Sequence, residues 1–258
     1  MTSPNAGRCL VGTMLRIACV PPVMVMAKDA GLDFVMVDME HGPCSYERLA
    51  DMAMTARAVG VGLFVRVPQL ARSHVSRALD CGVTGVMAPM IETEAQARQL
   101  AGWAKYAPVG QRGVSGRGWH TGFASPADTV AHMRAANAQT LVIAQVETGA
   151  GAAAAREIAA VPGIDALLVG PNDLSCSLGR PGELESAIVQ EAIGKVRDAA
   201  VGAGRRFGLH AGASLLKRWA PHGLNLIMQS TDIHILGDGM QALCASMRGI
   251  AEAGHGDG

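Results

Sequence analysis

The apolar positions of this chain change period repeatedly. Short, nearly continuous apolar runs occur at Val11–Ala18, Phe34–Asp38, Gly62–Arg66, Gly85–Met90, Leu141–Glu147, from Ala166 toward Asp173, and at Phe207–Ala211 and Leu224–Gln229. Runs of this length, bounded by Gly and Pro, read as buried strands of a parallel sheet. Between them lie stretches of helical spacing. These are Pro21–Ala30 (proline at its first turn), Ser45–Ala58, Ser73–Asp80, Glu94–Lys105, Pro126–Ala138, Gly149–Ala160, Glu183–Ala203, Ser214–Pro221 and Ile233–Ala253. One long Gly-rich connection, Ala107–Ser125, precedes the helix at Pro126. Eight strands, each followed by a helix, in 258 residues predict an α/β fold of the TIM (β/α)8 barrel type, a single domain over residues 1–258. An open doubly wound sheet needs fewer strands and usually an early glycine fingerprint. The Gly-rich pieces GVSGRG and GAGAAA have the wrong spacing or placement for one.

In such a barrel the chemistry gathers at the carboxyl ends of the strands, and here those ends are polar. The fifth strand leads into Glu147 and the sixth into Asp173. Joined by one helix, the two strands are neighbours and set these carboxylates side by side. Two acids held that close repel unless a cation or a shared proton lies between them. A divalent metal is the sharper reading; two exposed loop acids is the plainer one. The second strand ends Asp38-Met-Glu40-His41-Gly42, and the third ends Arg66-Val-Pro68. The fifth carries Gln145, the sixth Asn172, and the seventh ends in His210. His41 with Asp38 close by reads as a base oriented by an acid, or as a structural histidine. Arg66 suits a developing anion or a barrel acid, Asp38 could serve backbone amides, and Glu40 could face solvent or a neighbouring helix. Asp80 closes a helix, where the dipole disfavours an acid, so it is either solvated or meets a partner from elsewhere.

Composition narrows the classes of function. Hydrophobic residues make up 49% and charged residues 17%, with 32 glycines, which assures a sizeable core and excludes disorder. A formal net charge of +0 argues against nucleic-acid or membrane-surface partners. The six cysteines form no CxxC pair, and most read as small buried hydrophobes in a reducing compartment. No apolar run reaches the roughly 18 residues of a membrane span. The apolar start up to Ala27 is interrupted by Arg16 and broken by Pro21-Pro22, so it reads as structure, and a cytoplasmic protein is expected. Lys28, Lys105, Lys195 and Lys217 all fall on predicted helices, which speaks against a Schiff base at a strand end.

The segments DFVMVDMEHGP, LFVRVP, GVTGVMAPMIETEAQA, KYAPVGQRGVSG, IAQVETGAG and LLVGPNDLSCSLG follow, in order, the motifs of a known family. From about Gly12 to Met247 the chain resembles the HpcH/HpaI aldolases, class II pyruvate aldolases. The resemblance implies that Glu147 and Asp173 are the protein ligands of Mg²⁺, Mn²⁺ or Co²⁺. A 2-oxo acid would chelate that cation, its carboxylate held by the backbone amides of Asn172 and Asp173, with Gln145 lining the pocket. Arg66 would stabilise the enolate oxygen, and His41, oriented by Asp38, would move the proton of the aldol hydroxyl. Asp80 matches a position that reaches a neighbouring subunit's site. The implied reaction is reversible cleavage of a 4-hydroxy-2-oxo acid to pyruvate and an aldehyde.

Three departures concern the second substrate. Met14-Leu15-Arg16 stands where a tryptophan is often found, His210 stands where an aliphatic residue is common, and the loop Gly113–His120 brings Arg117 and His120 toward the presumed mouth. Two alternatives therefore stay open. One is an enolate enzyme acting on oxaloacetate or an acyl-CoA thioester, with Arg16, Arg117 and His120 serving extra carboxylates or phosphates. The other is an inactive barrel serving as a binding module, against which Glu147, Asp173, Arg66 and His41 argue. The last helix carries an apolar stripe of Ile233, Ile235, Leu236, Met240, Leu243, Met247 and Ile250. It either seats on its own barrel or, as the resemblance implies, is exchanged between subunits of a homo-oligomer, a hexamer built as a trimer of dimers.

Overall fold

Alternate side chains of every strand point into the barrel, and their sizes are matched across it. The computed structural model describes residues 8–254; the remaining ends of the expected domain, 1–7 and 255–258, lie outside the described residues. Eight parallel strands pair in chain order: β1 Leu10–Leu15, β2 Phe34–Asp38, β3 Gly62–Arg66, β4 Gly85–Ala88, β5 Leu141–Val146, β6 Ala166–Val169, β7 Arg206–His210 and β8 Leu224–Thr231. The last closes on the first, giving the expected barrel. β5 and β6 are neighbours, in register from Ile143↔Ala166 to Val146↔Val169.

The period of two divides the interior into two cores. Phe34, Met36, Phe64, Met87, Ile143, Leu168 and Met228 fill the barrel. The intervening Val35, Val37, Leu63, Val65, Val142, Ala144 and Leu167 pack beneath the helices. Phe34 and Phe64 stack with centroids 4.5 Å apart, a pairing worth about 1 kcal/mol beyond burial. Gly85 leaves room for it, because a Cβ there would come within 2.5 Å of the Phe64 ring. Following the inward positions toward the carboxyl ends leads to Asp38, Arg66, Gln145 and His210. The apolar layers thus become the floor of a polar one.

The helix Tyr46–Val59 is typical of the outer layer. Ser45 Oγ accepts the Arg48 N–H at 3.3 Å, Leu49, Met52, Ala53 and Ala56 are buried, and Gly60 at φ 75° ends it. Several boundaries differ from the sequence reading for identifiable reasons. β1 stops at Leu15 rather than Ala18, because the next three N–H groups, of Arg16, Ile17 and Ala18, donate to the buried Asp232 carboxylate at 2.9, 2.9 and 2.6 Å. The expected helix Gly149–Ala160 is two, Gly149–Ala153 and Ala155–Ala160. The expected Glu183–Ala203 begins at Ala187, since the Ser186 N–H closes a turn onto the Glu183 carbonyl. A short helix, Pro171–Ser177, follows β6.

The long connection after the helix Glu94–Ala104 lies on the amino-terminal face of the barrel. Arg57, in the last turn of Tyr46–Val59, fastens it there by donating from Nη2 to the carbonyls of Trp119 (2.9 Å) and His120 (3.1 Å). The helix Thr129–Gln139, capped by Asp128, then leads into β5. The final helix, Asp232–Gly254, leaves the barrel with its stripe uncovered: Ile235 is 53% exposed, Met240 67%, Leu243 59% and Ile250 71%. The alternative that this stripe seats on its own barrel is overturned. Among the described residues no helix is long and apolar enough to cross a membrane.

Candidate active site

The register of β2 and β3 sets Asp38 directly beside Arg66. Asp38 is fully buried and accepts five hydrogen bonds. The donors are Arg66 Nε (2.9 Å) and Nη2 (2.7 Å), Arg16 Nε (2.8 Å), and the backbone N–H groups of Glu40 (3.1 Å) and His41 (3.3 Å). Burial pushes this carboxyl up, but the bonds and charge of Arg66, with the His41 N–H and Arg16, outweigh it and hold it below its usual range. Asp38 therefore fixes a guanidinium and a turn of main chain. The expectation that it orients the His41 imidazole is corrected, because its contact with His41 is to the backbone. The half-exposed His41 ring faces Glu40 instead, Nε2 lying 3.8 Å from Oε2. Glu40, read from sequence as facing solvent or a helix, turns inward, with Oε2 2.9 Å from Arg66 Nη1. That ion pair lies off the N–H direction, so Oε2 is left buried without a hydrogen-bond donor.

Glu147 sits just past the end of β5, almost wholly buried. Oε1 accepts the Met90 N–H at 2.9 Å and Oε2 accepts from Gln145 Nε2 at 2.5 Å. Met90 holds its N–H there with φ at 56°, a left-handed conformation costing a non-glycine residue about 1–3 kcal/mol. Burial pushes Glu147 up to about 7, helped by the charges of Asp173 and Glu40 and opposed by the Met90 N–H and Arg66. Burial likewise raises Glu40, with Asp38 and Asp173 adding to the effect and Arg66 and His41 opposing it. Gly170, at the end of β6, leaves the space above these groups open; a Cβ there would lie 2.7 Å from Glu147 Oε2 and 3.0 Å from Gln145 Nε2.

This donor set suits a hard divalent cation. A buried acid is held against its charge, Asp173 acts on it electrostatically from the first turn of Pro171–Ser177, and Gln145 Oε1 is buried without a partner. Among the described residues no three His, Cys, Asp or Glu side chains form a ligand set. Two carboxylates would therefore leave most of a shell to small ligands.

Above this floor opens a cavity of about 480 Å³ lined by Arg16, His41, Arg66, Gln145, Asn172, Asp173 and His210, among others. No lysine lines it. His210 Nε2 lies 3.0 Å from the Ser230 carbonyl, and burial, with the charges of Arg66 and Arg16, holds the ring below the usual histidine pKa. The N–H of a neutral ring then points to Ser230, leaving Nδ1 as an acceptor. His234 and Asp238 of the final helix also line the cavity. The sequence reading missed both, although their four-residue spacing puts them on one helix face.

Three expected residues lie elsewhere. Asp80 pairs with Arg112 Nη2 at 2.9 Å, outside the cavity. Arg117 donates from Nε to Ser125 Oγ at 2.6 Å within the long loop, and His120 belongs to the same loop on the amino-terminal face. The expectation of Arg117 and His120 at the mouth of their own barrel is corrected. Of the groups that favoured an extra carboxylate or phosphate on the substrate only Arg16 remains, and it is engaged by Asp38.

A sequence profile of the HpcH/HpaI aldolase/citrate lyase family matches residues 17–219. The chain belongs to this family. The match takes in every residue from Asp38 to His210 described above. The hydroxypyruvate/pyruvate aldolase of Delftia acidovorans is 36% identical over 208 residues, which cover 80% of this chain and 76% of that protein. The 4-hydroxy-4-methyl-2-oxoglutarate aldolase of Hapsidospora irregularis is 32% identical over 242 residues, covering 90% of this chain and 89% of that one. Among solved structures, the HpcH/HpaI aldolase from Desulfitobacterium hafniense DCB-2 superposes with a TM-score of 0.89 at 32% identity, covering 94% of each chain.

Proposed function

We propose that this HpcH/HpaI family member is a metal-dependent aldolase, a carbon–carbon lyase that reversibly cleaves a 4-hydroxy-2-oxo acid to pyruvate and an aldehyde. The observation that carries this reading is the Asp38–Arg66–Glu40 clamp, which sets a buried guanidinium in the wall of the cavity lined by Asp173 and by Gln145 and Gly170, the two residues that adjoin Glu147. Glu147 and Asp173 would hold Mg²⁺, Mn²⁺ or Co²⁺, which when bound supplies charge to polarise the C2 carbonyl. Arg66 has five N–H donors, of which Asp38 accepts two, while the Glu40 carboxylate lies beside Nη1 as an ion pair. The remaining donors suit the oxygen that becomes negative as the C3–C4 bond breaks and its electron pair forms the enolate. His41, at the cavity rim beside Glu40, takes the proton from the C4 hydroxyl as the aldehyde leaves. A proton returned to C3 gives pyruvate. First-turn N–H groups at Asn172 and Asp173 have no acceptor within their helix and suit the substrate carboxylate.

The test is pyruvate release from a panel of 4-hydroxy-2-oxo acids by EDTA-treated enzyme with and without added Mn²⁺. Metal-dependent release is expected; turnover of an acyl-CoA thioester without pyruvate release would overturn the reading. We further propose residues 1–258 as one catalytic domain, a cytoplasmic location, and a homo-hexamer built as a trimer of dimers. The uncovered stripe of the final helix supports an exchange of that helix between subunits. Asp80, part-exposed on the barrel's outer wall, would then approach a neighbour's site.

A further inference from the structure

The barrel carries a second cavity at the end opposite the candidate active site. It measures about 450 Å³ and lies at the amino-terminal ends of β3, β4 and β5, where Leu63, Thr84 and Thr140 form part of its wall. The long loop and the helix Thr129–Gln139 supply the other side. Its fixed charge is positive: Arg57 and Arg112 line it beside the rings of His120 and His132, burial and Arg112 holding the His120 ring below the usual histidine pKa, and among the described residues no carboxylate lines it.

Two of these groups are unsatisfied in a way that points to a ligand. The Arg112 side chain is 4% exposed, pairs through Nη2 with Asp80, and lies over the Tyr106 ring at 4.7 Å. Its Nε is nonetheless buried without a partner. The His120 ring places Nε2 3.3 Å from the Ser115 carbonyl while Nδ1 is buried without a partner. Buried polar atoms are almost always hydrogen-bonded, and those of a cation most of all. Two orphans of this kind, on one cavity of this size and sign, make a built site.

We propose that this cavity binds a small oxyanion, a carboxylate or phosphate, through Arg112, Arg57 and His120. Arg112 Nε donates to an acid oxygen, Arg57 adds charge from the end of its helix, and His120 Nδ1, an acceptor while Nε2 donates to the Ser115 carbonyl, takes a hydrogen bond from a protonated oxygen of the ligand. The alanines and leucines of the wall, Ala53, Leu63 and Leu79 among them, accommodate a short apolar body. The loop that closes the cavity is the one the sequence suggested for the mouth, and its His120, with Arg112 just before it, faces this cavity instead.

The experiment is calorimetric titration of the full-length protein with inorganic phosphate and, separately, malonate, at constant ionic strength. Which of the two binds tells phosphate from carboxylate. Two variants locate the binding: Ala136→Phe, which fills the cavity from its helix, and His120→Gln, which removes an orphan while nearly preserving volume. Neither residue belongs to the candidate active site, so pyruvate release should persist in both. One ion bound per chain with Kd below about 1 mM, weakened about tenfold or more in both variants, is the expected result. No saturable binding up to about 20 mM, or affinity unchanged in a folded His120→Gln protein, would overturn the proposal.

Discussion

Replacing Gly170 by alanine isolates the geometry at Glu147. The backbone at Gly170 has φ −94° and ψ 91°, which any residue can adopt, so the substitution acts through its methyl group alone. The new Cβ would stand 2.7 Å from Glu147 Oε2, where ordinary contact begins at 3.4 Å, so about 0.7 Å must be found. The carboxylate is ill placed to yield it, because the Met90 N–H holds one oxygen and Gln145 the other. Overpacking of this kind costs about 1–3 kcal/mol, and a broken Gln145 bond about 1 kcal/mol more. Ligand distances in metal sites tolerate shifts of only about 0.2 Å, so Mn²⁺ affinity should fall about 10–100-fold, or about 1.4–2.7 kcal/mol. The assay is calorimetric Mn²⁺ titration of metal-stripped protein, paired with turnover against Mn²⁺ concentration. Gly212→Ala is the control: it lines the same cavity at φ −70° with nothing within 4 Å of its Cβ, and should leave both unchanged. A Gly170→Ala protein that binds Mn²⁺ as tightly as its parent would refute the assignment of Glu147 as a ligand.

Other predictions test the remaining parts. Arg66→Ala should abolish aldol cleavage and oxaloacetate decarboxylation together, since both pass through an enolate. His41→Ala should harm cleavage far more than decarboxylation, and equal losses would show its role to be misassigned. Asp38→Ala leaves Arg66 buried with its main counter-ion gone and should cost about 3–5 kcal/mol in urea unfolding; a loss below about 1 kcal/mol would contradict the clamp. Burial lowers the folded pKa of His210, so the unfolded chain binds a proton the folded one refuses. Its contribution is complete above the ordinary histidine pKa of about 6.5 and is lost as pH falls below it. His210→Gln should therefore flatten the decline in urea midpoint between about pH 7 and pH 5, and an unaltered slope would count against a buried neutral ring.

Much of this was legible in the chain itself. Apolar runs that break into acid, amide or arginine locate the strands and the polar layer at their ends, because inward parity continues past the last apolar residue. The positions of Glu147, Arg66, Gln145 and His210 follow from that rule, whereas Asp173 lies past the strand, in the first turn of the helix Pro171–Ser177. The partnership of Asp38 does not, since a carboxylate beside both an arginine and a histidine can serve either, and only the β2–β3 register decides for Arg66. Glu40 was undervalued because a loop residue's direction depends on the turn, and that turn is set by the N–H groups Asp38 accepts. Arg117 and His120 were placed on the wrong face although a clue existed: their loop follows a helix of the barrel, and a helix delivers the chain to the amino-terminal side. Asp232 gave no signal, since the donors it accepts from are main-chain N–H groups more than 200 residues away in sequence.

That last acid has a mechanical consequence. Its carboxylate gathers the N–H groups of Arg16, Ile17 and Ala18 and that of Ile233, so the exit of the first strand and the root of the final helix share one fulcrum. The helix beyond it has 23 residues, a lever of roughly 34 Å. Its short arm is Arg16, which grips Asp38, which grips Arg66. Wherever the far end of the lever is fastened, its root is tied at Asp232 to the segment that carries Arg16, and through Arg16 and Asp38 to the guanidinium of Arg66.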